Sequence, residues 1–295
     1  MAEKKLYGII APLITPFTKD GELDEALVEK EIKYLLKSGV HGISPGGSTG
    51  EGAAVTDEEL VRMIKLIRSI DRDIPIVAGI IRNSTRAAVA GALAAKAAGA
   101  DALMVTPVSY NVLVPDDEGN YSFYEAISKA TDLPIVIYNV VPQNTISAPL
   151  FSRLLNIENV IGIKQSCGGI MAFYEMKMVN GSRGKIFSAT DDMLYSTYEL
   201  GADGAISAIL TVFPEICVEM WNDVQNKNST HALELQNRMY ATWQAIAGNQ
   251  FPIRIKHALH LLGRNPGYPR SPITHIAEQD QKRIETALRD AGFIQ

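Results

Sequence analysis

One lysine stands where a buried strand is predicted to end. Residues 160–164 read VIGIK, and a loop containing two glycines follows. A short β-branched run bounded in this way is typical of a fully buried parallel strand. Lys164 would then have its stem in an apolar wall and its amine at a pocket mouth, where burial disfavours the charged form. A neutral amine can form a Schiff base with a carbonyl, whereas a structural lysine would simply extend to water.

Two other segments could complete a site around this amine. Residues 46–52 read GGSTGEG, so backbone N–H groups and the hydroxyls of Ser48 and Thr49 could form a small anion cradle. The segment lacks the lysine of a P-loop. Tyr138 ends an apolar run and could transfer protons. The structural alternatives are an ordinary glycine-rich turn and a tyrosine that closes the core. Tyr110, in a long loop, could equally be a surface or interface aromatic.

The sequence gives little indication of a metal-binding site. His257 and His260 share one face of a predicted helix, without a third ligand. Asp191 and Asp192 begin another predicted helix, which favours an N-cap pair. We therefore predict that the protein uses no metal and no cofactor.

A repeated strand–helix unit positions these residues. Strands are predicted at 6–15, 41–44, 74–79, 101–106, 134–138, 160–164, 185–188 and 203–207. Helices separate them, including 26–36, 56–70, 84–98, 121–131 and 191–200, and a long loop spans 108–120. Eight such units predict a (β/α)₈ TIM barrel, in which polar residues at the carboxyl ends of the strands share one pocket. A doubly wound open sheet is the alternative, but it would usually show a glycine fingerprint after the first strand, where residues 11–16 read APLITP.

The last part of the chain contains no predicted strand. Helices are predicted at 232–247, 252–262 and 278–291, with no flexible linker before them. We therefore divide the chain into a barrel, residues 1–229, and a C-terminal helical region, residues 230–295, packed on the barrel's side.

Composition limits the class of protein. The chain has 295 residues, 46% of them hydrophobic and 21% charged, and a net charge of -5 with both signs interspersed. This balance argues against nucleic acid or an anionic membrane as the main partner. Two cysteines suggest a reducing compartment. Because no signal-peptide pattern or membrane-spanning run is apparent, we predict a cytoplasmic protein.

The order of motifs along the chain resembles the dihydrodipicolinate synthase / N-acetylneuraminate lyase family. The matching segments are PLITPF at 12–17, GSTGE at 47–51, YNV at 138–140, GIK at 162–164, LGADGAIS at 200–207 and PIRIK at 252–256. The resemblance therefore runs through the whole chain. It implies a class I lyase or aldolase that makes or breaks a bond beside a lysine imine.

The resemblance also implies roles for individual residues. Lys164 would form the imine with pyruvate or another 2-oxo acid, and Tyr138 would move the proton. Ser48 and Thr49 would hold the carboxylate, and the backbone carbonyl of Ile206 would face the substrate. Tyr110 would reach a neighbouring subunit's site, which implies a homodimer or homotetramer.

Departures from the family pattern leave the co-substrate open, between a small aldehyde and a sugar-derived compound. Synthases have an arginine shortly after the YNV motif, where this chain has Gln143 and Asn144, and Thr190 replaces a family glycine. We expect Thr190 and Asn144 to contact the second substrate, and a neutral amide cannot replace a bidentate arginine. The form GSTGE is familiar from neuraminate lyases, whereas residues 287–292 look like the synthases.

Four functions remain compatible with these residues. The main prediction is a Schiff-base lyase or aldolase acting on a 2-oxo acid. A true 4-hydroxy-tetrahydrodipicolinate synthase is the first alternative. An enzyme similar to N-acetylneuraminate lyase, or an aldolase, dehydratase or deaminase of a sugar-derived oxo acid, is the second. The last is a barrel that binds a small ligand without turnover.

Overall fold

A computed structural model describes residues 5–295 and contains a ring of eight parallel strands. β1 to β8 span Gly8–Pro12, Gly42–Ser44, Val77–Ile80, Ala102–Val105, Ile135–Asn139, Val160–Gln165, Lys185–Ser188 and Gly204–Ala205. Their order in the sheet is β2-β1-β8-β7-β6-β5-β4-β3. A parallel bridge between Ile43 of β2 and Ile76, next to β3, brings the two edges together. The predicted TIM barrel is confirmed.

Helices alternate with the strands and continue after the last one. Within residues 5–295, α1 to α12 span Glu25–Lys37, Asp57–Ile70, Thr85–Ala98, Asp117–Thr131, Ala148–Leu154, Gly169–Asn180, Leu194–Glu199, Ile209–Val212, Pro214–Gln225, Ser229–Ile246, Phe251–Leu261 and Glu278–Asp290. Local signals start several of them. Thr56 and Glu59 form a reciprocal capping box at α2, and Asp24 caps α1. None of these helices combines the length and apolar composition needed to cross a membrane.

Three predicted helix starts were wrong by three residues or more. α10 begins at Ser229 rather than at residue 232, and the other two differences involve acidic residues. α4 begins at Asp117 rather than at residue 121, because the Asp116 side chain caps the N–H of Gly119 at 2.8 Å. The preceding loop is therefore shorter than predicted. α7 begins at Leu194 rather than at Asp191, because the Asp191 carboxylate accepts a hydrogen bond from a different segment, at Ile209.

Strand alternation decides which side chains enter the barrel. Along β5, Val136 and Tyr138 belong to the cluster inside the barrel, whereas Ile135 and Ile137 pack outward against the helices. β5 and β6 pair in register with Tyr138 beside Lys164. Side chains at paired positions of neighbouring strands point to the same face, so Lys164 also projects inward.

The C-terminal helices contact the barrel near the carboxyl ends of its strands. Gln236 of α10 accepts a hydrogen bond from the N–H of Tyr195 at 3.0 Å. Lys256 of α11 donates to the carbonyl of Thr15, beyond the end of β1, at 2.8 Å. These helices therefore close over the carboxyl ends of the strands as well as the barrel's side.

Three glycines allow the loop after β2 to cross the end of β3. A Cβ atom at Gly52 would lie 1.9 Å from the Gly46 carbonyl oxygen, and one at Gly79 would lie 2.4 Å from the same atom. The neighbouring backbone occupies that space and cannot swing aside as a side chain can. Gly79 on β3 therefore sets how closely the glycine-rich loop approaches the barrel.

We expect Gly79→Ala to destabilise the protein by about 1–3 kcal/mol, because the added methyl must displace backbone. The midpoint of urea denaturation measures the change. Gly47→Ala is the matched control, since its Cβ would meet only the flexible end of Met104, at 3.2 Å. Equal effects of the two substitutions would contradict this account.

Candidate active site

Lys164 and Tyr138 meet at the carboxyl ends of β6 and β5. Lys164 is only 5% exposed, and its Nζ lies 3.8 Å from the centre of the Tyr138 ring. It makes no hydrogen bond or ion pair with any residue from 5 to 295. Both side chains line a cavity of about 140 Å³. A buried amine is thus left without a polar partner, facing a space large enough for a small molecule.

The glycine-rich loop brings Thr49 to the wall of this cavity and Ser48 to the hydroxyl of Tyr138. The Tyr138 hydroxyl donates to Ser48 Oγ at 3.0 Å, and Thr49 lines the cavity wall. The N–H groups of Gly50 and Gly52 turn inward and donate to the carbonyl of Gly47. Those of Ser48 and Thr49 donate to no residue from 5 to 295. Two adjacent free N–H groups and two hydroxyls make this turn a suitable carboxylate cradle.

A buried ion pair that sequence analysis missed holds this loop in place. Glu51 has a left-handed backbone, with φ of 57°, and its Oε1 accepts from Lys256 Nζ at 2.6 Å. The same ammonium donates to the carbonyls of Thr15 and Tyr268, at 2.8 and 2.7 Å. Burial lowers the pKa of Lys256, and the Glu51 carboxylate opposes that shift. The sequence shows both residues inside recognised motifs, but nothing in it pairs them.

Asp191 is a second residue whose role the sequence did not reveal. Its carboxyl is buried, lines the cavity with Lys164, and accepts from the N–H of Ile209 at 2.6 Å. Burial raises its pKa to about 6, while the nearby Ser207 hydroxyl, the Ile209 N–H and the Lys164 charge act in the opposite direction. Ser207 Oγ is close enough to lower this pKa but lies outside hydrogen-bonding geometry. The predicted N-cap role of Asp191 was wrong because its carboxylate is directed to the segment after β8.

Three buried hydroxyls around this cavity lack hydrogen-bond partners within residues 5–295. Ser166 and Ser207 line the cavity, whereas Thr190 lies between the lining residues Ala189 and Asp191. Unsatisfied buried hydroxyls are costly unless a ligand or water completes them. Their placement is consistent with the contact predicted for Thr190, although its side chain is not itself part of the lining.

The remaining predicted residues lie elsewhere. Ile206 is fully buried in the inner barrel cluster, and its N–H donates to the Ser188 carbonyl. Tyr110 is 58% exposed on the outer surface. The Asn144 amide is fully engaged, with Asn120 at 2.8 Å and the Val108 carbonyl at 3.0 Å. This bonding favours a role in holding the loop rather than the substrate contact predicted for Asn144.

Two aromatic residues of the C-terminal region also reach the cavity. Trp243 on α10 and Phe251 at the start of α11 form part of its wall. Sequence reasoning placed these helices on the barrel's side and missed this contribution. No pattern in the sequence distinguishes these aromatics from ordinary core residues.

Among residues 5–295, one group of three potential metal ligands comes together. It consists of Glu219, Asp223 and His231 on the outer helices α9 and α10, and none of the three lines the cavity around Lys164. The His231 ring instead pairs with Asp223 at 2.7 Å, and this carboxylate raises the pKa of the imidazole.

Sequence and structure comparisons now place the chain. Residues 5–291 match the sequence model of the dihydrodipicolinate synthetase family. The chain belongs to this family. It is 34% identical over 301 residues to a 4-hydroxy-tetrahydrodipicolinate synthase of Phenylobacterium zucineum, with all of both chains covered. A second such synthase, from Methylobacterium radiotolerans, is 31% identical over 297 residues, covering 100% of this chain and 98% of the relative.

Solved structures of the dihydrodipicolinate synthetase family have the same architecture. The chloride-inhibited dihydrodipicolinate synthase of Acinetobacter baumannii, in complex with pyruvate, is 33% identical with a TM-score of 0.91, covering 98% of this chain and 100% of the other. The synthase of Aquifex aeolicus is 26% identical with a TM-score of 0.90. The predicted family and the predicted enzyme class, a lyase of the class I aldolase type, are confirmed.

Asp191 should make stability depend on pH in a specific direction. Its folded-state pKa of about 6 exceeds the ordinary 3.8, so the folded state binds this proton more tightly. Stability is therefore lost as pH rises from about 4 to about 6. In Asp191→Asn, which keeps an acceptor for Ile209, this loss should disappear.

Between about pH 4 and pH 7 the variant should gain about 3 kcal/mol relative to the wild type, from a shift of about two pKa units. Urea denaturation across that range measures the difference. Asp192→Asn, at the partly exposed neighbour, is the matched control. Parallel wild-type and Asp191→Asn curves would rule out a buried, titrating Asp191.

Proposed function

We propose that this protein is a class I lyase in which Lys164 forms an imine with pyruvate or a related 2-oxo acid. The observation that carries the proposal is the Lys164 amine, which is buried in a cavity, lies against Tyr138 and has no hydrogen-bond or ion-pair partner among residues 5–295. An ordinary structural lysine would have a carboxylate or solvent at its amine. Buried lysines that attack carbonyls are a known form of nucleophilic catalysis.

The site residues suggest a sequence of steps. The Lys164 amine adds to the keto carbon, and loss of water gives a protonated imine. This cation stabilises the electron pair that remains on C3 when a C3 proton is removed or the C3–C4 bond is broken. The Ser48 and Thr49 N–H groups would hold the carboxylate, which supports binding of a 2-oxo acid over a simple ketone. Addition of water to the imine releases the product and restores the amine.

Tyr138 is proposed to carry protons in these steps. Its ring lies beside the amine, and its hydroxyl is bonded to Ser48 at 3.0 Å. The hydroxyl is therefore oriented and has an acceptor through which a proton can pass. Ile206 and Thr190 are proposed to face the substrate from β8 and from the segment after β7. The unpaired Thr190 hydroxyl supports this role.

Pyruvate is the proposed first substrate, supported by the A. baumannii relative, which is described in complex with pyruvate. A second candidate function is the synthase reaction itself, favoured by the name that the relatives share. The neutral Gln143 and Asn144 oppose it, since no arginine stands there for a second carboxylate. The division at residues 229 and 230 and a cytoplasmic location stay predictions, the latter supported by two free cysteines.

We further propose that the protein acts as a dimer, with a tetramer as the larger assembly. Tyr110, Val112 and Leu113 are 58%, 74% and 54% exposed on one short loop. Such an apolar patch is costly unless a partner covers it. A two-fold interface at this loop would bury it and bring Tyr110 to the partner's cavity.

The nucleophile is tested by trapping. With pyruvate and borohydride, the protein should gain the mass of one reduced adduct per chain, and peptide mapping should place it on Lys164. Lys164→Ala should remove the adduct. Lys185→Ala is the matched control, because it removes a lysine of the neighbouring strand β7 that does not line the cavity. An adduct that maps elsewhere, or persists in Lys164→Ala, would refute the assignment.

Subunit mixing tests the role of Tyr110. Lys164→Ala and Tyr110→Phe protomers are purified separately and allowed to exchange. If Tyr110 serves the partner's site, each mixed dimer contains one complete site, and equal mixing should restore about a quarter of wild-type activity by random pairing. If Tyr110 serves its own subunit, the mixture should show only the average of its parents. A fully active monomer in sedimentation would also end the proposal.

A further inference from the structure

A larger cavity opens directly above the one that holds Lys164. Its volume is about 640 Å³, and it shares Val140, Gly248 and Phe251 with the inner cavity. We call this space the vestibule. A molecule that reacts with an imine at Lys164 would have its remaining atoms in the vestibule. The chemistry of the vestibule walls therefore selects the co-substrate.

The cationic side chain in the vestibule wall has no free N–H donor for a substrate. Arg270 is the only Arg or Lys among the lining residues within 5–295. A guanidinium has five N–H donors. In Arg270, Nε–H and one N–H of Nη2 donate to the Gly21 carbonyl. The two N–H groups of Nη1 donate to the Ala54 carbonyl and to Glu59, and the second N–H of Nη2 also donates to Glu59. All five donors are used, so Arg270 cannot grip a substrate carboxylate without breaking its own network.

The carboxylate in these walls is occupied in the same way. Glu51 pairs with Lys256 through Oε1, and its Oε2 accepts from the N–H of Arg270 at 2.9 Å. The β5–α5 loop contributes the neutral Gln143, whose Nε2 donates to the Ser109 carbonyl. The vestibule thus has two charged side chains, and each is already paired within the protein.

Carbon forms most of the remaining wall. The apolar contributors are Ala53, Ala54, Ile81, Val140, Val141, Pro142, Phe251, Pro252, Pro272 and Ile273. The other polar lining residues are uncharged: Ser48, Thr106, Ser109, Asn249, Gln250 and Ser271. A charged group that enters such a space loses hydration and finds no free ion-pair partner in the wall, which is unfavourable. An apolar group of matching size gains free energy by leaving water.

We propose that the vestibule accepts an uncharged aldehyde with an apolar alkyl or aryl body as the co-substrate of the lysine imine. This inference rests on the proposed function and specifies its second substrate. In the addition, C3 of the imine-bound pyruvate gives a proton to the hydrogen-bonded pair of Tyr138 and Ser48 and forms a C–C bond to the aldehyde carbon. The aldehyde oxygen takes a proton from Tyr138 and becomes a hydroxyl. Water then cleaves the imine and releases a 4-hydroxy-2-oxo acid, and cleavage follows the same steps in reverse.

Gln143 is the specificity-determining position in this account. Its side chain lines the vestibule from the loop that follows β5. Gln143→Arg supplies a positive charge, whereas Gln143→Met keeps the length and remains neutral. The two variants therefore separate charge from shape.

The experiment compares benzaldehyde with 4-formylbenzoate, which adds one carboxylate to the same ring, and with aspartate semialdehyde and glyceraldehyde. Addition to pyruvate is followed by product formation, and kcat/KM is compared. In the wild type, benzaldehyde should exceed both carboxylated aldehydes at least tenfold. Gln143→Met should keep that preference, and Gln143→Arg should reduce or reverse it.

Higher kcat/KM for a carboxylated aldehyde in the wild type would overturn the inference, and so would a preference for the hydroxylated glyceraldehyde over benzaldehyde. An unchanged preference in Gln143→Arg, with its fold intact by circular dichroism, would remove Gln143 from specificity. Borohydride trapping of pyruvate at Lys164 is measured on the same preparations. Loss of trapping in the wild type refutes the proposed function, whereas trapping with the wrong aldehyde preference refutes only the vestibule inference.

Discussion

The buried pair between Glu51 and Lys256 is the interaction on which the site depends. It joins the loop after β2 to helix α11, which lies 205 residues away along the chain. Glu51 holds a left-handed backbone conformation at the end of the turn that presents Ser48 and Thr49. Removing either partner would leave an uncompensated buried charge, which typically costs about 3–5 kcal/mol. The geometry of the proposed carboxylate cradle therefore depends on the packing of the C-terminal helices.

The same pair also helps to form the wall of the vestibule. Lys256 is bonded to the Tyr268 carbonyl, and Glu51 accepts from the N–H of Arg270, so the segment after α11 is held against the glycine-rich loop. The carbonyls of Gly21 and Ala54, with Glu59 at the start of α2, accept from every side-chain donor of Arg270. The two charged side chains of the vestibule wall, Arg270 and Glu51, are both paired within the protein. They therefore hold the fold together and present no free charge to a substrate. The proposed substrate selection therefore rests on the same contacts that hold this wall together.

Inside the barrel, catalytic geometry follows from strand register. Tyr138 and Lys164 are neighbours because β5 and β6 pair in parallel at these positions, and alternation directs both inward. Asn139, one residue later, points outward and bonds the backbone of Ile146 through both ends of its amide. This bonding anchors the loop that carries Gln143. Two consecutive residues of β5 thus have different roles on the two faces of the sheet: Tyr138 lines the cavity, and Asn139 holds the following loop.

Much of this protein is determined by local sequence. Hydrophobic runs of strand length, caps such as Thr56 with Glu59, and glycines after helices define eight strand–helix units, and the strand ends place Lys164, Tyr138, Ser48 and Thr49 on one rim. These features depend on neighbours within a few residues, so the sequence alone predicts the barrel and its nucleophile. The tertiary structure decided the contacts between distant segments. These are the pairing of Glu51 with Lys256, the hydrogen bond between Asp191 and Ile209, the placement of Trp243 and Phe251 over the cavity, and the hydrogen bonding of every side-chain donor of Arg270. The type of an ionisable residue does not reveal its partner, because burial and pairing are set by packing across the whole chain.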